Sequence, residues 1–118
     1  MENVEFETYK RPNGHDEFLE WLNALPDRDQ QKMLMTIEQT QEQGLMVARQ
    51  LKWIKKLDNN LFELRSETGG NIQRAIYFHV EHGQYIITHG FTKKTQKTPA
   101  REIKHAIELR KEWSDNEN

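Results

Sequence analysis

Hydrophobic positions change their period several times along the chain, and each change marks a new element. Val4, Phe6 and Thr8 alternate with Glu5, Glu7 and Tyr9, which predicts a strand over residues 2–9. Pro12-Asn13-Gly14 is a turn. Phe18, Leu19, Trp21, Leu22 and Leu25 then recur at helical spacing, with Asn13 or Gly14 as the cap and Asp16 and Glu17 in the first turn, where carboxylates favour the helix dipole. Pro26 breaks this helix and opens the next as its first residue. The second helix carries Met33, Leu34 and Ile37 and stops at Gly44. Residues 45–51 read as a connector or a single helical turn.

The period then shortens to two. Residues 53–57 predict a short strand, and Asp58-Asn59-Asn60 a turn. Strands follow over 61–67, 71–80 and 84–93, separated by Gly69-Gly70 and His82-Gly83 at hairpin length, so an antiparallel meander is the simplest arrangement. Thr98 as cap and Pro99 as first residue start a last helix with Ile103, Ala106, Ile107 and Trp113 on one face. The order predicts one α+β domain over 1–113 with a polar tail, 114–118. Its helices cover one sheet face and leave the other partly open. Phe62 and Leu64 take one face of their strand, and Glu63 and Arg65 the other. Arg74 shares its phase with Ile72, Ile76 and Phe78. Either the strand bulges near Gly70, or that face is apolar away from Arg74 and open around it.

Composition narrows the class. Leu, Ile, Val and Phe make up 26 of 118 residues, enough for a small core at a net charge of -2. The absence of cysteine excludes a disulfide framework, a thiolate metal site and a cysteine nucleophile. Met1 to Lys10 carries three glutamates and no apolar run, unlike a signal peptide. No stretch is apolar for the ~18 residues a membrane span needs. The expected location is the cytoplasm.

Charge is uneven. Residues 1–48 hold 4 basic and 10 acidic side chains, residues 49–113 hold 13 and 7, and the last five residues add two acids. The basic excess suggests a polyanionic partner for the second half. Its cations fall in three places: Lys52, Lys55 and Lys56 before the meander, Arg65 and Arg74 within it, and Lys93, Lys94 and Lys97 around Gln96 and three threonines. Cations beside hydroxyls and an amide suit phosphodiester oxygens. Loop lysines also occur on any solvated surface, and strand arginines pair with glutamates such as Glu63 or Glu67. The five histidines show no metal-ligand spacing. His89, late in a strand that runs into the lysine loop, is a candidate for proton transfer.

Several of these residues form one ordered pattern: Leu61-Phe62-Glu63-Leu64-Arg65, then Arg74-Ala75-Ile76-Tyr77, then His89-Gly90-Phe91-Thr92-Lys93-Lys94-Thr95-Gln96-Lys97-Thr98-Pro99, then Glu102-Ile103-x-x-Ala106. The pattern resembles the HigB-like, phage-associated branch of the RelE/ParE toxin superfamily, over nearly the whole chain. The resemblance implies a RelE-like α+β fold and a toxin of a type II toxin–antitoxin pair. It implies a metal-independent endoribonuclease that cuts mRNA on the ribosome and needs no cofactor. The implied partner is a HigA-like helix-turn-helix antitoxin, through which operator DNA is bound indirectly. Arg65, Arg74, Lys93 and Lys94 match the superfamily's cations, with His89 and the two lysines as acid–base candidates. Lys52, Lys55, Lys56, Gln96 and Lys97 are the expected RNA contacts. Some RelE members place a tyrosine after the basic pair. Residues 95–101 hold none, so stacking on a base would fall to Tyr77 or Phe91. ParE-like relatives act on gyrase instead, which leaves a non-catalytic binding module as the second expectation.

Overall fold

The computed structural model describes residues 3–95 and 97–117. Its elements are β1 (Glu5–Thr8), α1 (Glu17–Ala24), α2 (Asp27–Gln43), α3 (Leu45–Gln50), β2 (Ile54–Asp58), β3 (Leu61–Thr68), β4 (Asn71–His79), β5 (Gln84–Lys93) and α4 (Ala100–Glu117). The strands form one sheet in the order β1-β5-β4-β3-β2. β2 to β5 make the expected antiparallel meander, and β1 lies parallel to β5 at its far edge. The α+β class read from the sequence is the class observed. None of the described helices is long and apolar enough to cross a membrane.

Local chemistry moves some boundaries. Asp16, not Asn13 or Gly14, caps α1, its carboxylate accepting from the Leu19 amide at 3.0 Å. Asn13 accepts from the His15 amide at 2.9 Å and closes the preceding turn instead. Such a cap contributes about 1 kcal/mol. Gly44 ends α2 at a φ of 89°, a left-handed value that a side chain disfavours. α3 shows that the connector is a full short helix. α4 starts one residue after Pro99 and runs to Glu117, so the segment read as a tail is helical almost to its end.

The main difference from the sequence reading is the placement of α4. Helices α1, α2 and α3 pack on one sheet face, where Phe18, Leu22, Met33 and Ala48 meet Ile54, Leu64, Ala75, Tyr77 and Ile87. α4 covers the other face, its Ala106 and Leu109 against Leu61, Ile76, Phe78, Ile86 and Phe91. The reason lies in the strands. Over Ala75 to Phe78 of β4 and Tyr85 to Ile87 of β5 apolar residues point to both faces, Ala75, Tyr77, Tyr85 and Ile87 to one and Ile76, Phe78 and Ile86 to the other, so both faces need cover. Leu109 is buried on α4, whereas Ile107, expected in the core, is 37% exposed. Gly90 lets α1 approach β5 closely: a Cβ there would lie 2.1 Å from the Trp21 ring.

Candidate active site

The site lies on the α4 side of the sheet, and two backbone features build it. The β3–β4 register sets Arg65 directly opposite Arg74. In β5, Ile76 pairs with His89 but Tyr77 pairs with Ile87, so Thr88 is an extra, bulged residue. The bulge reverses the phase of the strand beyond it. His89, Phe91 and Lys93 thereby join Ile86 on the α4 face; by simple alternation they would share the face of Ile87. Arg74 stays in phase with Ile76 and Phe78, with no bulge near Gly70. The face is apolar toward Phe78 and charged around Arg74, though not open there, because Arg74 is only 1% exposed.

Glu63 is the centre of the charged region. It is fully buried, and its Oε2 accepts from the Thr98 hydroxyl at 2.8 Å. Its Oε1 lies 3.6 Å from Arg74 Nε and 3.8 Å from Arg65 Nε. These are ion pairs without hydrogen bonds: all three atoms are buried and lack a hydrogen-bond partner among the described residues. The Glu67 carboxylate approaches Arg74 Nη2 at 3.8 Å, and Arg74 Nη1 donates to the Gln73 carbonyl at 2.9 Å. Burial, then repulsion from Arg65, lowers the Arg74 pKa against the attraction of Glu63 and Glu67. Lys93, also buried, has its amine pKa pulled below the ordinary 10.5, first by desolvation. Arg74, Arg65 and Lys55 lower it further, while Glu63 opposes them. The chemistry available is that of preorganised cations in a nearly dry site, beside an amine that gives up its proton more readily than an ordinary lysine.

The other expected residues are distributed around this cluster. His89 is buried, but its ring serves a second polar chain. Its Nδ1 lies 3.0 Å from the Thr88 hydroxyl and its Nε2 3.1 Å from Glu102 Oε1. The ring meets that of His105 at 4.8 Å, and His105 Nε2 is 2.7 Å from Glu17. Arg11 links Glu17 to Glu112, at 2.7 and 2.9 Å. Burial lowers the His89 pKa, against the pull of Glu102. Lys52, Lys55, Lys56, Lys94 and Lys97 are exposed. Lys55 is registered with Glu63 and so belongs to the charged face, whereas Lys56 is registered with Phe62 on the other. Gln96 lies outside the described residues.

Two expectations fail on packing. Tyr77 and Phe91 are 1% and 7% exposed and sit in the two cores, so neither offers a face to a base. α4 begins at Ala100 and its first amide bonds run to the Pro99 carbonyl, so Pro99 stands at the cap position and Thr98 one residue before it, its hydroxyl donating to Glu63. By sequence alone Glu63 is an ion-pair partner for the strand arginines and nothing more. Its central position was signalled by Glu63-x-Arg65, which puts both side chains on one face, opposite Arg74. Thr98 and Trp53, whose carbonyl accepts from the Arg65 amide at 2.8 Å, carried no such signal.

Residues 20–111 match the model of the family described as phage derived protein Gp49-like (DUF891). This chain belongs to the Gp49-like family. The match spans the site from Trp53 to Glu102 and leaves out β1 and the end of α4. Gp49-like proteins are a phage-derived, RelE- and toxin-like family. A comparison with curated proteins finds no match.

Proposed function

We propose that this Gp49-like protein is a HigB-type toxin of a type II toxin–antitoxin pair, an endoribonuclease that inhibits translation by cutting ribosome-bound mRNA. The observation that carries the proposal is the convergence of Arg65, Arg74 and Lys93 around one buried carboxylate. In the proposed reaction, the neutral Lys93 amine takes the proton of a ribose 2′-hydroxyl. The resulting oxygen attacks the adjacent 3′-phosphorus. Arg65 and Arg74 stabilise the added negative charge of the pentacoordinate state, an electrostatic effect that removal of one donor typically weakens by about 10²–10³ in rate. The 5′-oxygen leaves with a proton from the exposed Lys94 ammonium. The products are a 2′,3′-cyclic phosphate and a 5′-hydroxyl end. Lys52, Lys55 and Lys97, with Gln96, hold flanking phosphates, whereas Lys56 stands on the opposite face of β2. The partner is a HigA-like helix-turn-helix antitoxin that also carries the pair to operator DNA, and the site of action is the cytoplasm.

Inducing the chain alone should arrest growth. Arg65→Gln at equal folded level should relieve the arrest, and so should co-expression of a helix-turn-helix protein encoded next to it. Undiminished toxicity of folded Arg65→Gln would remove the proposed site. A ParE-like action on a protein target is the second reading. It is favoured by the burial of Arg74 and Lys93, which leaves the half-buried Arg65 as the most accessible of the three cations. It predicts arrest without new RNA ends.

A further inference from the structure

β2 stops short of the end of β3. Their last registered pair is Ile54 with Leu64, and the Arg65 amide then donates to the Trp53 carbonyl at 2.8 Å. Beyond Arg65 the outer edge of β3 faces a cleft of about 360 Å³ under α2. Its walls combine Trp53 and Met35 with Lys32, Lys52, Gln39 and Ser66, and Arg65, Arg74 and the carboxylate of Glu67 also line it. The cleft therefore opens onto the cationic cluster. Two features suit it to a flat polar ring. Trp53 is half-buried and held on both sides by its backbone, the amide bonded to the Ala48 carbonyl at 2.8 Å and the carbonyl to Arg65. Met35, 47% exposed on α2, lines the same cleft as a second apolar, polarisable side chain. The Ser66 hydroxyl, on a residue only 5% exposed that lines the cleft, is buried and has no hydrogen-bond partner among the described residues. Buried polar atoms are nearly always paired, so an unpaired hydroxyl in a cleft marks a place for a ligand's polar atom.

We propose that this cleft is a nucleobase subsite: an unpaired base next to the scissile phosphate stacks on Trp53 and bonds to Ser66 and Gln39. The subsite rests on the RNA-cleaving reading and adds to it the residue that selects the cut position. Single-stranded RNA is recognised by such stacking, combined with cations that track the backbone. Lys32 and Lys52 flank the cleft for that purpose. An aromatic face in this place also supplies what the buried Tyr77 and Phe91 do not.

The test uses the full chain with Trp21→Phe and Trp113→Phe, so that Trp53 alone fluoresces. It is titrated with a labelled 2′-O-methyl oligoribonucleotide, which lacks the attacking hydroxyl. Binding, followed by the label's anisotropy, should quench Trp53, and Trp53→Leu should bind about tenfold more weakly. Ser66→Ala, which breaks no hydrogen bond among the described residues, should change the base found beside the cuts mapped in cells, while Trp113→Phe leaves it unchanged. Anisotropy without quenching, or an unaltered base preference in Ser66→Ala together with full affinity in Trp53→Leu, would overturn the subsite. Quenching by the antitoxin but not by the oligonucleotide would also overturn it, in favour of a protein side chain. If Arg65-dependent cuts persist in any of these cases, the subsite fails and the nuclease reading stands. If no cuts appear, both fail.

Discussion

Burial removes water from Lys93, and Arg74, Arg65 and Lys55 repel a proton from its amine, while Glu63 attracts one. The two signs separate a base from a bystander. If Lys93 takes the 2′-hydroxyl proton, activity falls as pH drops through its pKa. Glu63→Gln removes the attraction and should move that limb of the pH–rate profile to lower pH. Arg65→Gln removes a repulsion and should move the limb of its residual activity to higher pH. Shifts in the same direction, or none, would take the role from Lys93. The two arginines also differ in what their removal costs the fold. Arg74 is buried against Glu63, and losing it strands a carboxylate, so Arg74→Ala should destabilise by about 3–5 kcal/mol. Arg65 is 26% exposed along its side chain and pairs only at 3.8 Å, so Arg65→Gln should stay within about 1 kcal/mol of wild type in urea unfolding. That difference makes Arg65 the cleaner probe of function.

At the scale of elements, the polar chain His89–Glu102, His105–Glu17 and Arg11–Glu112 joins β5, α1 and α4 around one end of the sheet. His89 has its pKa lowered below 6.5, so the native state prefers the neutral ring and the unfolded chain binds the proton first. Stability should therefore decline as pH falls below about 6.5, and His89→Gln should flatten this upper part of the decline. Burial raises the Glu17 pKa but is outweighed by His105 and Arg11, and Arg11 lowers that of Glu112; both carboxyls end below the ordinary 4.5. Their contribution is present above that pH and is lost as pH falls further. A thermal melting series in wild type and His89→Gln checks the sequence of losses; identical slopes between pH 7 and 5 would contradict it. The elements themselves were legible because alternation and helical spacing are local properties. The partner of β1, the face taken by α4 and the bulge at Thr88 were not, because each depends on which surface remains to be covered once the meander has formed. The bulge matters most for the site: alternation alone would put Lys93 on the wrong face, although Glu63, Arg65 and Arg74 could be grouped from strand phase.

For the whole molecule, the uneven charge along the chain becomes a spatial arrangement less simple than one acidic and one basic surface. Arg11, from the acidic first half, is bonded to Glu17 and Glu112. Arg110 is held by the carbonyls of Asn59 and Asn60, and Lys111 by Asp115. These basic side chains are committed to the fold. Arg65, Arg74, Lys93 and Lys55 converge about Glu63 instead, and Lys52 lines the cleft that Arg65 and Arg74 share. A charge distribution of this kind attracts a polyanion to one place on a protein whose net charge is -2. The central claim is that the attracted polyanion is RNA and that the cluster cuts it. Mapping RNA 5′ ends minutes after induction tests it most directly. Wild type should create new 5′-hydroxyl ends within translated messages, and folded Arg65→Gln should create almost none. Growth arrest without new ends, or the same ends in Arg65→Gln, would contradict the claim.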